Sequence, residues 1–376
     1  MTHKYLGNRH MIFALIIILV LSTGLACNLL SSLTGQVEEI VEETIPIEEP
    51  EPVEEPEPDV ELAFIPEQVL RLEPTVSGQT VNSVAYNVDG SQIAIGSYIL
   101  TDIMDTTDGS LIQSLEDLPH SVMGVAFSPD GQALYGAFAL GGVNRYTLAD
   151  GELDVDYHGG FDNNLALSPD GETIATGSRS PEMWLWQVSD GELIHEFEPA
   201  DYIEDYSEWL TSLAYSPDGN LVAAGHWDGH VFLWDTNSMD LVYYIEPETD
   251  YCSGWGLAFS PDGQLLAVGG QRQEWDDVIK VYNVSDGSLA FVLEEFGRGG
   301  AMDAPVAFSP DGERLAAGGT EGIYLWQLPE MDFLTELEID DLDASDWVTD
   351  LTFSPDSRYL AAGYWNDYAL IWQVQE

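Results

Sequence analysis

Apolar and polar positions alternate in short runs from Val81 onward, and each run ends at the same kind of turn. The phrase reads Ala85-Tyr86-Asn87-Val88-Asp89-Gly90, then Ala126-Phe127-Ser128-Pro129-Asp130-Gly131, then Ala166-Leu167-Ser168-Pro169-Asp170-Gly171. It returns at 214–219, 258–263 and 307–312, and last as Thr352-Phe353-Ser354-Pro355-Asp356-Ser357. Val/Leu-x-Phe ahead of the turn is the pattern of a half-buried strand. Ser-Pro-Asp-Gly supplies the turn: Pro presets φ, Asp bonds its own backbone, and Gly accepts positive φ.

Further strands follow each turn. The second is rich in small residues, as in Leu221-Val222-Ala223-Ala224-Gly225. The third ends in a large aromatic: Tyr146, Trp186, Trp234, Tyr282, Trp326 and Trp372. An Asp-Gly turn often comes next, as at Asp190-Gly191, and opens a fourth strand such as Leu193–Phe197 or Leu241–Ile245. Successive turn aspartates are 41, 40, 48, 44, 49 and 45 residues apart. Seven copies at this period predict an all-β, seven-bladed β-propeller with four-stranded blades. The seventh copy stops after its third strand, at 369–374, while 68–72 stands before the first copy as a strand without a hairpin. The N-terminal strand is therefore predicted to close the last blade, which hides an edge.

The repeat resembles the WD-repeat family of β-propellers over 68–375. Only Trp234-Asp235 keeps the family's Trp-Asp dipeptide; Gln187, Gln327 and Gln373 stand at the Asp position elsewhere. The Gly-His pair that opens a family repeat is largely missing, with His120 the nearest remnant, so the family's buried His–Asp network is not expected to carry over. The resemblance implies that the loops from strand four to the next strand one, and from strand two to three, share one face.

Charge narrows the partners. With 67 acids against 10 Lys and Arg, the net charge is −57. That field repels nucleic acid and anionic membrane surfaces, and favours basic partners or divalent cations.

The first residues read as an address. Lys4 and Arg9 precede an unbroken apolar run, Met11 to Leu21, and then Ser22, Thr23, Gly24, Leu25, Ala26 and Cys27. A basic start, an apolar middle and a small-residue exit make a signal peptide. Ala26-Cys27 resembles the bacterial lipoprotein signal, in which the Cys is acylated and becomes the new N-terminus. Gly24 stands where that family usually has Leu, and an uncharged stretch as far as Leu33 leaves a signal anchor as the alternative. Either reading places the rest outside the cytoplasm. Residues 36–66 are rich in Glu and Pro and contain no Lys or Arg. Such a segment is expected to be disordered, with a reach of roughly 90 Å at ~3.1 Å per residue. The expected organisation is thus 1–26 signal, 27–66 acidic tether and 67–376 propeller, with Cys27 the lipidation site.

Catalytic signals are missing. No His-Glu-x-x-His, Cys-x-x-Cys, Gly-x-Ser-x-Gly or phosphate-cradling Gly-Lys loop occurs. Asp340, Asp341, Asp343 and Asp346 lack the regular spacing of a calcium loop and read as a solvated charge run. No cofactor, metal or catalytic residue is expected. The loops of the shared face carry Trp209, Trp227, Trp255, Trp275, Trp347 and Trp365 beside acids. Exposed aromatics on a rigid scaffold make a binding rim suited to basic peptides, cationic groups or sugar rings; the competing reading packs them between blades. These observations point to a monomeric, extracytoplasmic, lipid-anchored protein-interaction or scaffold module. A carbohydrate or small cationic ligand receptor is the alternative, and a propeller-type hydrolase or lyase the further one.

Overall fold

The computed structural model describes residues 66–376 apart from 117, 140–141, 158–161, 205, 248–250, 273–276, 295–303, 320–321 and 338–346. Cys27 and the signal and tether segments lie outside the described residues, as do Trp275 and the acidic run at 340–346.

Seven antiparallel sheets of four strands form a seven-bladed β-propeller. Blade 4 shows the plan: Leu210–Tyr215, Leu221–His226, Val231–Asp235 and Leu241–Ile245, hydrogen-bonded in that order. Blades 1, 2 and 3 span 81–115, 122–157 and 162–197 in the same way, and blades 5 and 6 span 251–293 and 306–337. Blade 7 takes three strands from Val348–Phe353, Tyr359–Tyr364 and Ala369–Gln373, and its fourth from Glu67–Leu72. Leu72 pairs with Ala369 and Glu67 with Gln373, so the closure expected from the sequence is present. The expected fourth strands at Leu193–Phe197 and Leu241–Ile245 are found with those bounds.

The turns behave as their residues dictate. Ser216 Oγ donates to Asp218 Oδ1 at 2.6 Å, and the Leu221 amide donates to Ser216 Oγ at 2.9 Å. The same pair of bonds recurs at Ser128, Ser168, Ser260, Ser309 and Ser354. Gly219 has φ +73°, a conformation open to Gly at little cost.

The core is not central. The described residues form seven apolar clusters, each between two neighbouring blades. The third-strand aromatics sit there: Tyr146, Trp186, Trp234, Trp326 and Trp372 are buried, and Tyr282 packs against the cluster of blades 4 and 5. Small second-strand residues such as Ala223, Ala267 and Ala316 let adjacent sheets close on them. The middle of the ring is left open, and the first strands surround it.

Candidate channel-mouth site

A backbone irregularity makes the first strands line the channel with polar groups. In blades 1, 2, 4 and 7 the pairing of strands one and two slips at Val81/Ser83, Val122/Gly124, Leu210/Ser212 and Val348/Asp350. A β-bulge leaves one residue unpaired and turns the strand locally. As a result two consecutive residues reach the lumen: Asn82 with Ser83, Met123 with Gly124, Thr211 with Ser212, and Thr349 with Asp350. The lumen is a cavity of about 600 Å³. Its inner ring holds one residue per blade: Ser83, Gly124, Asn164, Ser212, Gly256, Pro305 and Asp350.

Among the described residues of that lining, Asp350 is the one carboxylate. Its Oδ2 accepts Ser83 Oγ at 2.8 Å and the Val84 amide at 2.9 Å, both from blade 1, while Oδ1 accepts only the adjacent Leu351 amide, at 2.8 Å. Ser83 Oγ in turn accepts the Val125 amide of blade 2 at 3.2 Å, so the network ties blades 7, 1 and 2. Burial pushes the Asp350 carboxyl up to about 6, against the opposing pull of these hydrogen bonds.

Aromatic pairs stand at the mouth. Trp209 immediately precedes blade 4's first strand and Trp227 follows its second; the Trp227 amide donates to the Trp209 carbonyl at 2.8 Å. Their rings meet edge-on, with centroids 6.1 Å apart at 66°. Trp347 and Trp365 repeat the arrangement in blade 7, with a backbone bond of 3.1 Å and centroids 4.7 Å apart at 35°. Trp209, Trp227 and Trp365 line the cavity and remain 48%, 41% and 41% exposed. Blades 4 and 7 are three steps apart, as far as seven blades allow, so the pairs face each other across the opening. Arg179, after blade 3's second strand, also lines the mouth and places its guanidinium 5.6 Å from the Trp209 ring centre.

A polar cluster supports the Trp227 loop from behind. Tyr206 Oη donates to Asp228 Oδ1 at 3.0 Å, and His230 Nδ1 contacts Asp228 Oδ2 at 2.7 Å. Burial opposes the Asp228 charge, but the hydrogen bonds from His230 outweigh it and hold the carboxyl below its usual range. Burial, with the charge of Asp228, pushes the Tyr206 phenol up. His226 is buried beneath, bonded through Nε2 to the Pro181 carbonyl at 3.0 Å, and burial brings it down to about 4. No His–Asp network was expected from the sequence, yet blade 4 builds a His–Asp contact from Asp228 and His230, with Tyr206 as a second donor.

Of the six rim tryptophans, four are placed together as two pairs at the mouth, Trp347 lying behind Trp365. Trp255 falls within the strand Tyr251–Phe259, not in a loop, and its side chain is outside the described residues, as is Trp275. The structure adds Arg179, Asp350 and Asn164 to the mouth and lumen. Among the described residues no group of three or more His, Cys, Asp or Glu is arranged to hold a metal.

The arrangement is that of a repeat propeller with an aromatic-lined channel mouth. Residues 197–235, 251–283 and 338–373 match the WD domain, G-beta repeat family. These stretches cover the first three strands of blades 4, 5 and 7, so both tryptophan pairs stand on WD repeats. No curated protein matches the chain.

Proposed function

We propose that this chain is a lipid-anchored protein-interaction module outside the cytoplasmic membrane, binding its partner through the loop face at the channel mouth. The observation that carries the reading is two tryptophan couples held opposite each other by blades 4 and 7, with Trp209, Trp227 and Trp365 about half exposed and Trp347 behind Trp365. Large aromatics left in water on a rigid frame are the usual anchors of protein interfaces. WD repeats in blades 4, 5 and 7 support an interaction role. We read the site as a binding site: among the described residues its lining holds a single carboxylate, Asp350, and a single guanidinium, Arg179. Acylation of Cys27 would attach the chain to the membrane.

Capture from the native envelope tests the binding face, using the full-length protein in detergent. Trp209, Trp227, Trp347 and Trp365 are changed together to Ala, and circular dichroism checks that the variant folds. The parent should retain a partner that the variant loses; equal retention refutes the loop-face reading. Incorporation of an alkyne-tagged fatty acid, abolished by Cys27→Ser, tests the anchor, and absence of label in the parent refutes it.

A further inference from the structure

We propose that the channel mouth is a binding site for a neutral saccharide, seated between the Trp209–Trp227 and Trp347–Trp365 pairs with its hydroxyls directed to Asp350 and Asn164. This rests on the loop face being the binding face, and it names the chemical group that face accepts.

Charge decides the ligand class. The field of −57 draws cations toward the chain, but a cation that reaches the tryptophans meets Arg179, whose guanidinium already lies over Trp209. An anion meets Asp350 in the lumen and the field of a chain with net charge −57. A neutral ligand avoids both penalties. An apolar ligand would dry Asp350, Asn164 and Arg179 without replacing their water, which is costly. The group that remains is neutral, rich in hydroxyls and possessed of apolar faces, which describes a pyranose ring.

The geometry accommodates such a ring. The exposed indoles offer flat apolar platforms on two sides of the opening. The cavity of about 600 Å³ lies within the usual small-ligand range of about 300–1,000 Å³. Asp350 Oδ1 accepts only its neighbour's amide and keeps capacity for a hydroxyl donor. Asn164 lines the lumen with an amide that makes no hydrogen bond to the described residues, so it offers both a donor and an acceptor. Rigid strands set both groups, so little ordering is required on binding.

The test is calorimetric and fluorescence titration of the full-length protein in a detergent without sugar headgroups. The probes are maltotriose, cellotriose, mannotriose and N-acetylchitotriose, with glucosamine, glucuronate and an acetylated Arg-Lys peptide as charged comparisons. At least one neutral trisaccharide should bind saturably and change the tryptophan emission. Trp365→Ala and Trp209→Ala should each weaken it about tenfold or more, whereas Trp365→Tyr, which keeps a platform, should retain most of it. Asp350→Asn should weaken it several-fold. Absence of saturable binding by all four trisaccharides overturns the proposal, as does binding unchanged in the Trp→Ala variants or tighter binding of the cationic peptide. If no saccharide binds but the envelope partner is still lost from the four-Trp variant, the saccharide assignment fails and the loop-face reading stands. If the variant keeps its partner, the loop-face reading fails. Release of the captured partner by the trisaccharide that binds would place the sugar on that partner; retention would point to free polysaccharide.

Discussion

Asp350→Asn should change how stability depends on pH, in a window fixed by one group. The Asp350 carboxyl rises from 3.8 to about 6 in the folded ring, because burial outweighs its bonds to Val84, Ser83 and Leu351. Between those values the native state holds a proton that the unfolded chain has released. The stabilisation is therefore complete below pH 3.8 and is lost as pH rises through about 6. A shift of that size is worth about 3 kcal/mol at 1.36 kcal/mol per unit, and water in the lumen brings the expected figure nearer 2 kcal/mol. The Asn variant has no such proton. Denaturant unfolding followed by tryptophan emission, at several values from pH 4 to pH 7, should show the wild type losing about 2 kcal/mol relative to the variant over that range. The turn aspartates, such as Asp130, Asp170, Asp218 and Asp262, titrate lower because Ser hydroxyls and backbone amides bond them. They act alike in both proteins and cancel in the difference. A wild-type-minus-variant difference that stays flat across the range, or grows with pH, would refute the assignment of a raised Asp350.

Three further outcomes follow from packing. Leu72, 1% exposed in the cluster between blades 7 and 1, belongs to the strand that closes the ring; Leu72→Ala should cost about 3 kcal/mol in chemical denaturation. Gly269→Ala would drive a Cβ into the Ala304 carbonyl oxygen, which is backbone and cannot step aside, so it should lower stability by about 3 kcal/mol or more in the same assay. Trp186 Nε1 donates to Thr176 Oγ1 at 2.9 Å, but Trp372 has Ala362 at the equivalent place and its indole N–H has no acceptor among the described residues. Ala362→Ser supplies one and should raise the thermal midpoint, by about 1 kcal/mol of stability, whereas an unchanged or lower midpoint would mean that water already satisfies Trp372 or that the hydroxyl does not fit.

The frame was legible because each of its parts follows from local chemistry repeated seven times. Ser-Pro-Asp-Gly encodes its own turn through the Ser and Asp side chains, and the closing strand could be read from a missing hairpin at one end and a spare strand at the other. The site was only half legible. Tryptophans are conspicuous, and the structure pairs Trp209 with Trp227 and Trp347 with Trp365 near the mouth. Asp350 is one acid among 67, with nothing local to distinguish it. Its place in the lumen depends on a bulge whose residue is not constant: Asn82, Thr211 and Thr349 each donate to a backbone carbonyl, but Met123 stands there in blade 2. Arg179 and Trp209 approach from different blades, 30 positions apart by number, and Tyr206 meets Asp228 only because a loop folds back over its own blade.

Lining up the seven copies explains why the two halves differ. Five residues past each turn Asp stand Ala94, Tyr135, Ala175, Ala223, Ala267, Ala316 and Ala361, all buried. Every blade interface poses the same packing problem, and six of seven copies solve it the same way. Nine residues past the same Asp stand Tyr98, Ala139, Arg179, Trp227, Gln271, Thr320 and Trp365, and no common solution is visible. In blades 3, 4 and 7 that column directly follows the second strand, where Arg179, Trp227 and Trp365 line the mouth, and the lumen column from Ser83 to Asp350 is as varied. The blade interfaces do not depend on the mouth column, whereas the lumen column is constrained only locally, at Gly256 by the Ala304 carbonyl and at Ser83 and Asp350 by their shared bonds. Repetition is kept where the fold requires it and abandoned where a ligand would touch. A partner that met all seven blades alike would need no such departure. Large aromatics in blades 4 and 7, a guanidinium in blade 3 and a carboxylate in blade 7 instead give the mouth two unlike sides, which fits a ligand lying across the opening better than one centred on the ring axis.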